Sequence, residues 1–286
     1  MIPVLLTKIK TRDGITLDGI YLPPRGKKRY ALIWIHGLLS QFSSGQTLIK
    51  ELSSRTAREG IGYFKFNNRG YGIVARGGKH LIGSAYEKFE DCVFDIRVAI
   101  GYAKQLGYRN IILAGHSTGA NKVLHYIYKT RDTRVKKIIL LGPINDIAAE
   151  ESRIGKKKLA QTLAYAKRLY HKDPHALIIQ KDRLYTAARY ISLCEASRAE
   201  DTFPYNNPRA EWKQLRSVKI PLAVFIGSRD EYLDRPAKNL IEIFKNNAAR
   251  TASFSGIIIK NAGHSFVKKE KELAQKIMEW IKRAIA

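Results

Sequence analysis

Cysteine is nearly absent: Cys92 and Cys194 are the only two in 286 residues. So few, so far apart, build neither a disulfide framework nor a zinc-type spacing, and they fit a reducing cytoplasm. No apolar run approaches the roughly 20 residues that cross a bilayer. The opening "MIPVLLTKIKTRDG" has too short an apolar part for a secretory leader. A cytoplasmic protein with no membrane span is therefore expected. No internal repeat or low-complexity segment interrupts the chain. His80, His125, His171 and His175 have no metal-ligand pattern around them, so no metal site is expected. Acids are scarce: 25 Asp and Glu face 51 Lys and Arg, a net charge of +26. A field of that sign attracts nucleic acid, anionic lipid or anionic small molecules. RNP aromatics, a zinc knuckle and helix-turn-helix spacing are all missing, so no specific nucleic-acid partner is expected. The basic residues are spread through the chain, as a basic proteome or a high-temperature host would produce.

What is present describes a globular protein with ample core material, 45% apolar and 27% charged. Alternating stretches over 3–10 and 15–22 flank Asp13-Gly14 and predict an antiparallel hairpin. "YALIWIH" at 30–36 is a continuous apolar run, the mark of a strand buried on both faces. Further strands are predicted at 61–67, 111–114, 137–142, 221–227 and 256–260. They alternate with helices near 43–59, 88–106, 118–130, 236–247 and 267–285. Such alternation implies a mostly parallel sheet with helices on both faces. Between about 145 and 218 the rhythm breaks, leaving helical periodicity and no convincing central strand. Leu159, Leu163, Ala166 and Tyr170 recur at helical spacing, and the run from Arg153 to Lys172 holds seven Lys or Arg and no acid. The expectation is a core of 1–144 and 219–286, with a helical cap insertion at 145–218 over a site at the sheet's edge. Lys156, Lys157 and Lys158 would form part of a basic rim.

The chemistry centres on "IILAGHSTGANKVLHYIY" at 111–128, where Ser117 stands between Gly115 and Gly119. A buried strand ends there and a helix begins, which makes a nucleophile elbow with the serine hydroxyl pushed out at the sheet's C-terminal edge. A serine hydroxyl is a weak nucleophile until a base takes its proton, and that base needs an acid to fix its tautomer. On this arrangement the partners follow in the order Ser, Asp or Glu, His. "VFIGSRDEYLD" places Asp230 just past one strand, and "IIIKNAGHSF" places His264 just past the next. Glu231 and Asp234 stand close to Asp230, and Asp146 follows the strand at 137–142, so the identity of the acid stays open among them. "ALIWIHGLL" ends another buried strand at His36-Gly37. The backbone amides of Leu38 and Thr118 would then bind a tetrahedral oxyanion. His36 is expected to anchor that loop, and His116 to pack behind the sheet.

With these residues in place, the chain resembles the α/β-hydrolases over essentially its whole length. The resemblance is carried by His36-Gly37, the "NNRGYG" loop at 67–72, the elbow, "GSRD" and "AGHS". The loop is similar to that superfamily's D-x-R-G-x-G segment, with Asn67 and Asn68 in place of the usual acid, a departure that bears on loop packing more than on chemistry. "NNRG" together with the stretch at 77–100 further resembles a branch that includes fungal siderophore esterases. The resemblance implies a mostly parallel eight-stranded sheet flanked by helices, with a helical cap. It also implies a cofactor-free serine hydrolase of carboxylic esters using Ser117, His264 and Asp230. The partner would be a small-molecule ester, with anionic esters among the candidates. Thioester and amide hydrolysis use the same groups. Two readings of other classes also stay open: a non-catalytic receptor on the hydrolase shell, and a polyanion-binding protein.

Overall fold

Continuous apolar runs fix where the sheet lies, because a strand covered on both faces cannot alternate with polar residues. The computed structural model describes residues 4–283, and each predicted run is a strand in it. The chain opens with β1 (Leu5–Lys10), β2 (Thr16–Leu22), β3 (Tyr30–Ile35), α1 (Gln46–Arg58) and β4 (Ile61–Phe66). A small hairpin, β5 (Ala75–Gly77) and β6 (His80–Ile82), precedes α2 (Cys92–Gln105), β7 (Ile111–His116), α3 (Thr118–Thr130) and β8 (Val135–Leu141). Then come α4 (Asp146–Ile154), α5 (Lys156–Lys172), β9 (Leu177–Gln180), β10 (Arg183–Thr186), α6 (Ala187–Cys194) and α7 (Lys213–Arg216). The chain closes with β11 (Leu222–Gly227), α8 (Ala237–Asn247), β12 (Phe254–Ile259) and α9 (Glu270–Arg283). Residue 3 of the expected first strand and residues 284–285 of the expected last helix lie outside the described residues.

Eight strands form one sheet in the order β1-β2-β4-β3-β7-β8-β11-β12. Only the pairings that involve β2 are antiparallel, so the sheet is mostly parallel. Helices α1 and α9 cover one face around Leu52, Leu273, Ile277 and Trp280. The other face packs against Ile96 of α2, Val123 and Leu124 of α3, and Phe244 of α8. Parallel strands oblige each connection to cross over, so the C-terminal ends of β3, β4, β7, β8, β11 and β12 open at the same edge.

The segment between β8 and β11 is less helical than its periodicity predicts. It contains α4, α5 and α6, and also the two-stranded β9–β10 hairpin. That turn is Lys181-Asp182, with Lys181 at φ 56°, and it lacks the Asn-Gly type signal that makes such hairpins readable. Residues Leu159, Ala166, Ile178, Tyr185, Tyr190 and Ile191 form a separate small core, with Leu163 packed against it. Tyr170, the fourth member of the predicted stripe, is exposed. From Phe203 onward the chain has rejoined the main core, where Phe203, Tyr205, Trp212 and Leu215 are buried near Phe244.

Buried ion pairs join these layers. Arg69 of the "NNRG" loop bonds Asp95 at 2.8 Å, Asp13 at 3.0 Å and Asp91 at 3.3 Å. Lys122 of α3 pairs with Glu87 and donates to the Asn68 side-chain oxygen at 2.8 Å. Arg189 of α6 pairs with Glu200 and reaches Glu87 at 3.6 Å. Asn68 also donates from its side-chain nitrogen to the His36 carbonyl at 3.0 Å. A carboxylate has no proton to give there, which accounts for asparagine at this position.

Helix α3 lies unusually close to the sheet. A Cβ on Gly119 would sit 2.2 Å from the Ile35 carbonyl oxygen, a backbone atom with no freedom to yield. By contrast, a Cβ on Gly101 in α2 would meet nothing within 4 Å. We therefore expect opposite signs in urea unfolding. Gly119→Ala should lose about 1–3 kcal/mol through overpacking. Gly101→Ala should gain about 0.5–1 kcal/mol through helix propensity. A stabilised Gly119→Ala would contradict the close approach.

Candidate active site

Strand β7 runs straight into the turn that carries Ser117. The serine backbone sits at φ 57° and ψ −131°, a strained region for a residue with a side chain. Its own N–H donates to the Leu141 carbonyl at 2.9 Å, and its carbonyl accepts from Ala120 at 2.8 Å. The turn is thus held to β8 on one side and to α3 on the other. Gly37, just past β3, lies directly against it: a Cβ there would be 2.8 Å from the Ser117 Cβ. Leu38 and Thr118 both line the cavity beside the serine. Neither backbone amide donates a hydrogen bond to another group among the described residues.

The expected base and acid arrive from the next strand ends. His264 Nε2 is 2.9 Å from Ser117 Oγ, and His264 Nδ1 is 2.9 Å from Asp230 Oδ2. Both His264 and Asp230 are buried. Asp230 is itself oriented, because its other oxygen accepts from the Tyr232 N–H at 3.0 Å. The imidazole lies between the His116 ring, at 5.0 Å, and the Tyr232 ring, at 4.6 Å. Gly142, which ends β8 at φ +48°, makes room for the pair; a Cβ there would be 3.0 Å from His264 Cε1 and 3.1 Å from Nδ1.

The other candidate acids are occupied elsewhere. Glu231 accepts the His264 backbone N–H at 2.9 Å and so holds the loop, not the ring. Asp234 is gripped by Arg235 at 2.6 and 2.8 Å. Asp146 lies in the cavity wall, 3.4 Å from the Asn121 side-chain nitrogen, and makes no bond to His264.

His36 and His116, the other two histidines near Ser117, are held neutral. His36 accepts the Asn68 N–H on Nε2 at 3.0 Å, so its Nδ1 carries the proton and donates to the Gly37 carbonyl at 2.9 Å. Burial, and then the charge of Lys122, lower its pKa to about 3, which keeps the ring neutral and the Gly37 loop tied to the "NNRG" loop. His116 faces the His264 carbonyl through Nε2 at 2.8 Å, and burial lowers its pKa to about 4. It therefore braces the His264 loop and also lines the cavity. Among the described residues, no group of three His, Cys, Asp or Glu is placed to hold a metal ion, and no helix is long and apolar enough to cross a membrane.

The cavity beside Ser117 is about 250 Å³. Ile144, Ala149 and Leu193 give it apolar walls, while Glu150, Arg183 and Tyr232 add polar ones. Arg183 was invisible to sequence reasoning, since it sits on the unpredicted hairpin. Gly142 and Tyr232 carried weak signals, as residues just past strand ends. Lys156, Lys157 and Lys158 lie exposed at the start of α5 and do not line the cavity.

Solved structures share this architecture. An esterase from Pyrococcus furiosus superposes with TM-score 0.66 at 16% identity, covering 100% of this chain and 92% of its own. A monoglyceride lipase from Saccharomyces cerevisiae gives 0.69 at 15% identity, covering 96% and 94%. A siderophore hydrolase from Aspergillus fumigatus gives 0.71 at 15% identity, covering 99% and 98%. A sequence search of curated proteins finds no match. The model of a family described as a protein of unknown function, DUF1749, matches residues 69–285. With that match across most of its length, and with this sheet and these neighbours, the chain belongs to the DUF1749 family and has the α/β-hydrolase fold.

Proposed function

We propose that this protein hydrolyses carboxylic esters through an acyl-enzyme on Ser117. One observation carries the reading: the unbroken run of hydrogen bonds from Asp230 through His264 to Ser117 Oγ, each 2.9 Å long. Asp230 accepts a hydrogen bond from the Nδ1–H, which leaves the Nε2 lone pair facing the hydroxyl. His264 takes the serine proton as Oγ attacks the ester carbonyl carbon. The Leu38 and Thr118 amides receive the developing oxyanion. His264 then returns the proton to the leaving alcohol, and water repeats the sequence to release the acid. Apart from the ester and water, each of these steps uses groups of this chain. Neighbours described as an esterase, a monoglyceride lipase and a siderophore hydrolase support ester cleavage on this fold. The segment α4 to α6 acts as the cap, since Ala149, Glu150, Arg183 and Leu193 wall the cavity. A reducing, cytoplasmic setting suits Cys92 and Cys194, both free and buried.

Ser117→Ala should fold normally yet reduce ester hydrolysis by at least about a thousandfold, leaving only binding and oxyanion contributions. A variant that keeps more than about a tenth of parental turnover, too much for a missing nucleophile, rules the reading out. The acid is tested separately. Asp230→Asn should cost on the order of 10⁴ in kcat because the wrong tautomer is held. Asp146→Asn and Asp234→Asn should keep kcat near the parent value; if Asp146→Asn is the crippling change, the acid is misassigned. Gly142→Ala probes the geometry. Its methyl group would press on the imidazole, and a displacement well under an ångström should lower kcat about ten- to a hundredfold. Parental kcat in that variant would show that the ring has slack.

A further inference from the structure

We infer that Arg183 is a specificity residue that receives an anionic group of the substrate, so the preferred esters carry a carboxylate or similar charge away from the scissile bond. The inference rests on the hydrolase reading above and adds to it the chemical class of ester. Arg183 opens β10 and shares the cavity wall with Ser117 and Thr118. The other ionisable groups in that wall are Asp146, Glu150, His116, Tyr232 and His264.

Glu150 is already matched, since its two oxygens each take a 2.8 Å hydrogen bond from Arg153. Desolvation, and then the negative charge of Glu200, push the Asp146 carboxyl well above its ordinary range, with the charge of Arg183 opposing that shift. His116 is neutral for the reason given above. Arg183 makes no ion pair among the described residues, and Glu150 and Asp146 feel its charge only at longer range. Thr118 lines the same wall, and its buried hydroxyl has no hydrogen-bond partner among the described residues.

The strand that carries Arg183 is also held in place in advance. Arg153 donates to the Gln180 carbonyl at 3.2 Å and to Asp182 at 3.1 Å, and Lys181 donates to the Arg153 carbonyl at 2.8 Å, which pins the hairpin turn to α4. At the other end of β10, the Thr186 N–H donates to the Ala85 carbonyl at 2.9 Å. A planar guanidinium on a strand anchored at both ends, in the cavity that Ser117 also lines, is suited to grip a carboxylate through two N–H donors. The lysines of the α5 run, by contrast, lie outside the cavity, where salt screens them.

The test uses two matched ester pairs on the full chain. The first is 4-nitrophenyl hydrogen adipate against its methyl ester, which places the charge on the acyl side. The second is 4-acetoxybenzoate against methyl 4-acetoxybenzoate, which places it on the alcohol side. For one pair, Arg183→Gln should lower the anionic-to-neutral ratio of kcat/KM by about ten- to a hundredfold, the scale of a lost charge-assisted contact. Arg183→Lys should fall between, since it keeps charge and loses the fork. In the Ser117→Ala background, which leaves the ester intact, adding Arg183→Gln should raise the Kd for the same anionic ester at least about tenfold. Ratios unchanged for both pairs, with neutral-ester cleavage still dependent on Ser117, would overturn the role of Arg183 alone. Cleavage that ignores Ser117 while anion binding still requires Arg183 would overturn the hydrolase reading and keep the anion subsite.

Discussion

The close meeting of three backbones at Ser117 is the constraint on which the rest depends. The serine occupies a left-handed conformation that costs about 1–3 kcal/mol, and nothing in its own residue type favours it. It persists because neighbours close the space around it. Gly37 abuts the serine, Gly115 meets the Gly119 carbonyl where a Cβ would be only 2.3 Å away, and α3 presses on the end of β3. Each contact requires an absent side chain. The glycines therefore let the sheet and helix come close enough to force the turn, and the forced turn lifts the hydroxyl toward His264.

Behind that turn, charge does what apolar packing cannot. Helix α3 is buried along most of its length, yet it carries Lys122 into the interior. Burying an ammonium costs several kcal/mol unless a partner and further hydrogen bonds offset it, and Glu87 and Asn68 supply them. Glu87 also reaches toward Arg189, and Arg189 toward Glu200. The same chain of charges thus fastens the Gly37 loop, through Asn68 and His36, and helix α6. Apolar surface would have held these layers together without fixing their register. Directional pairs hold one arrangement, in which residues of the α4–α6 segment wall the cavity beside the serine.

Much of this was legible in the sequence, for physical reasons. Parallel strands buried on both faces read as continuous apolar runs, so β3, β7, β8 and β11 were plain, and with them the edge where Ser117, Asp230 and His264 emerge. The elbow was legible because close backbone approach demands glycine, and glycine is visible as a letter. What stayed hidden depends on contacts distant in sequence. The choice of Asp230 over Asp146 is made by where His264 lies, and no spacing states that. Strands β5 and β6 are three residues each, too short for any period to register. The hairpin β9–β10 turns on Lys181-Asp182, residues that advertise nothing.

Arg183 shows why the overall charge is a poor guide to the site. A net of +26 produces cations on every surface, and most of them are bathed in solvent and counter-ions. The densest run, at the start of α5, is also the one that sequence most readily suggests as a substrate guide, yet its lysines are exposed and do not line the cavity. An exposed lysine gains little from a passing anion, because water and salt compete on equal terms. A guanidinium in a partly closed cavity, on a strand anchored at both ends, competes with less water. Selection of a charged ester would thus come from one enclosed cation more than from the excess of many exposed ones. The scattered positive charge would set only how often an anion arrives, which is a matter of rate and of salt.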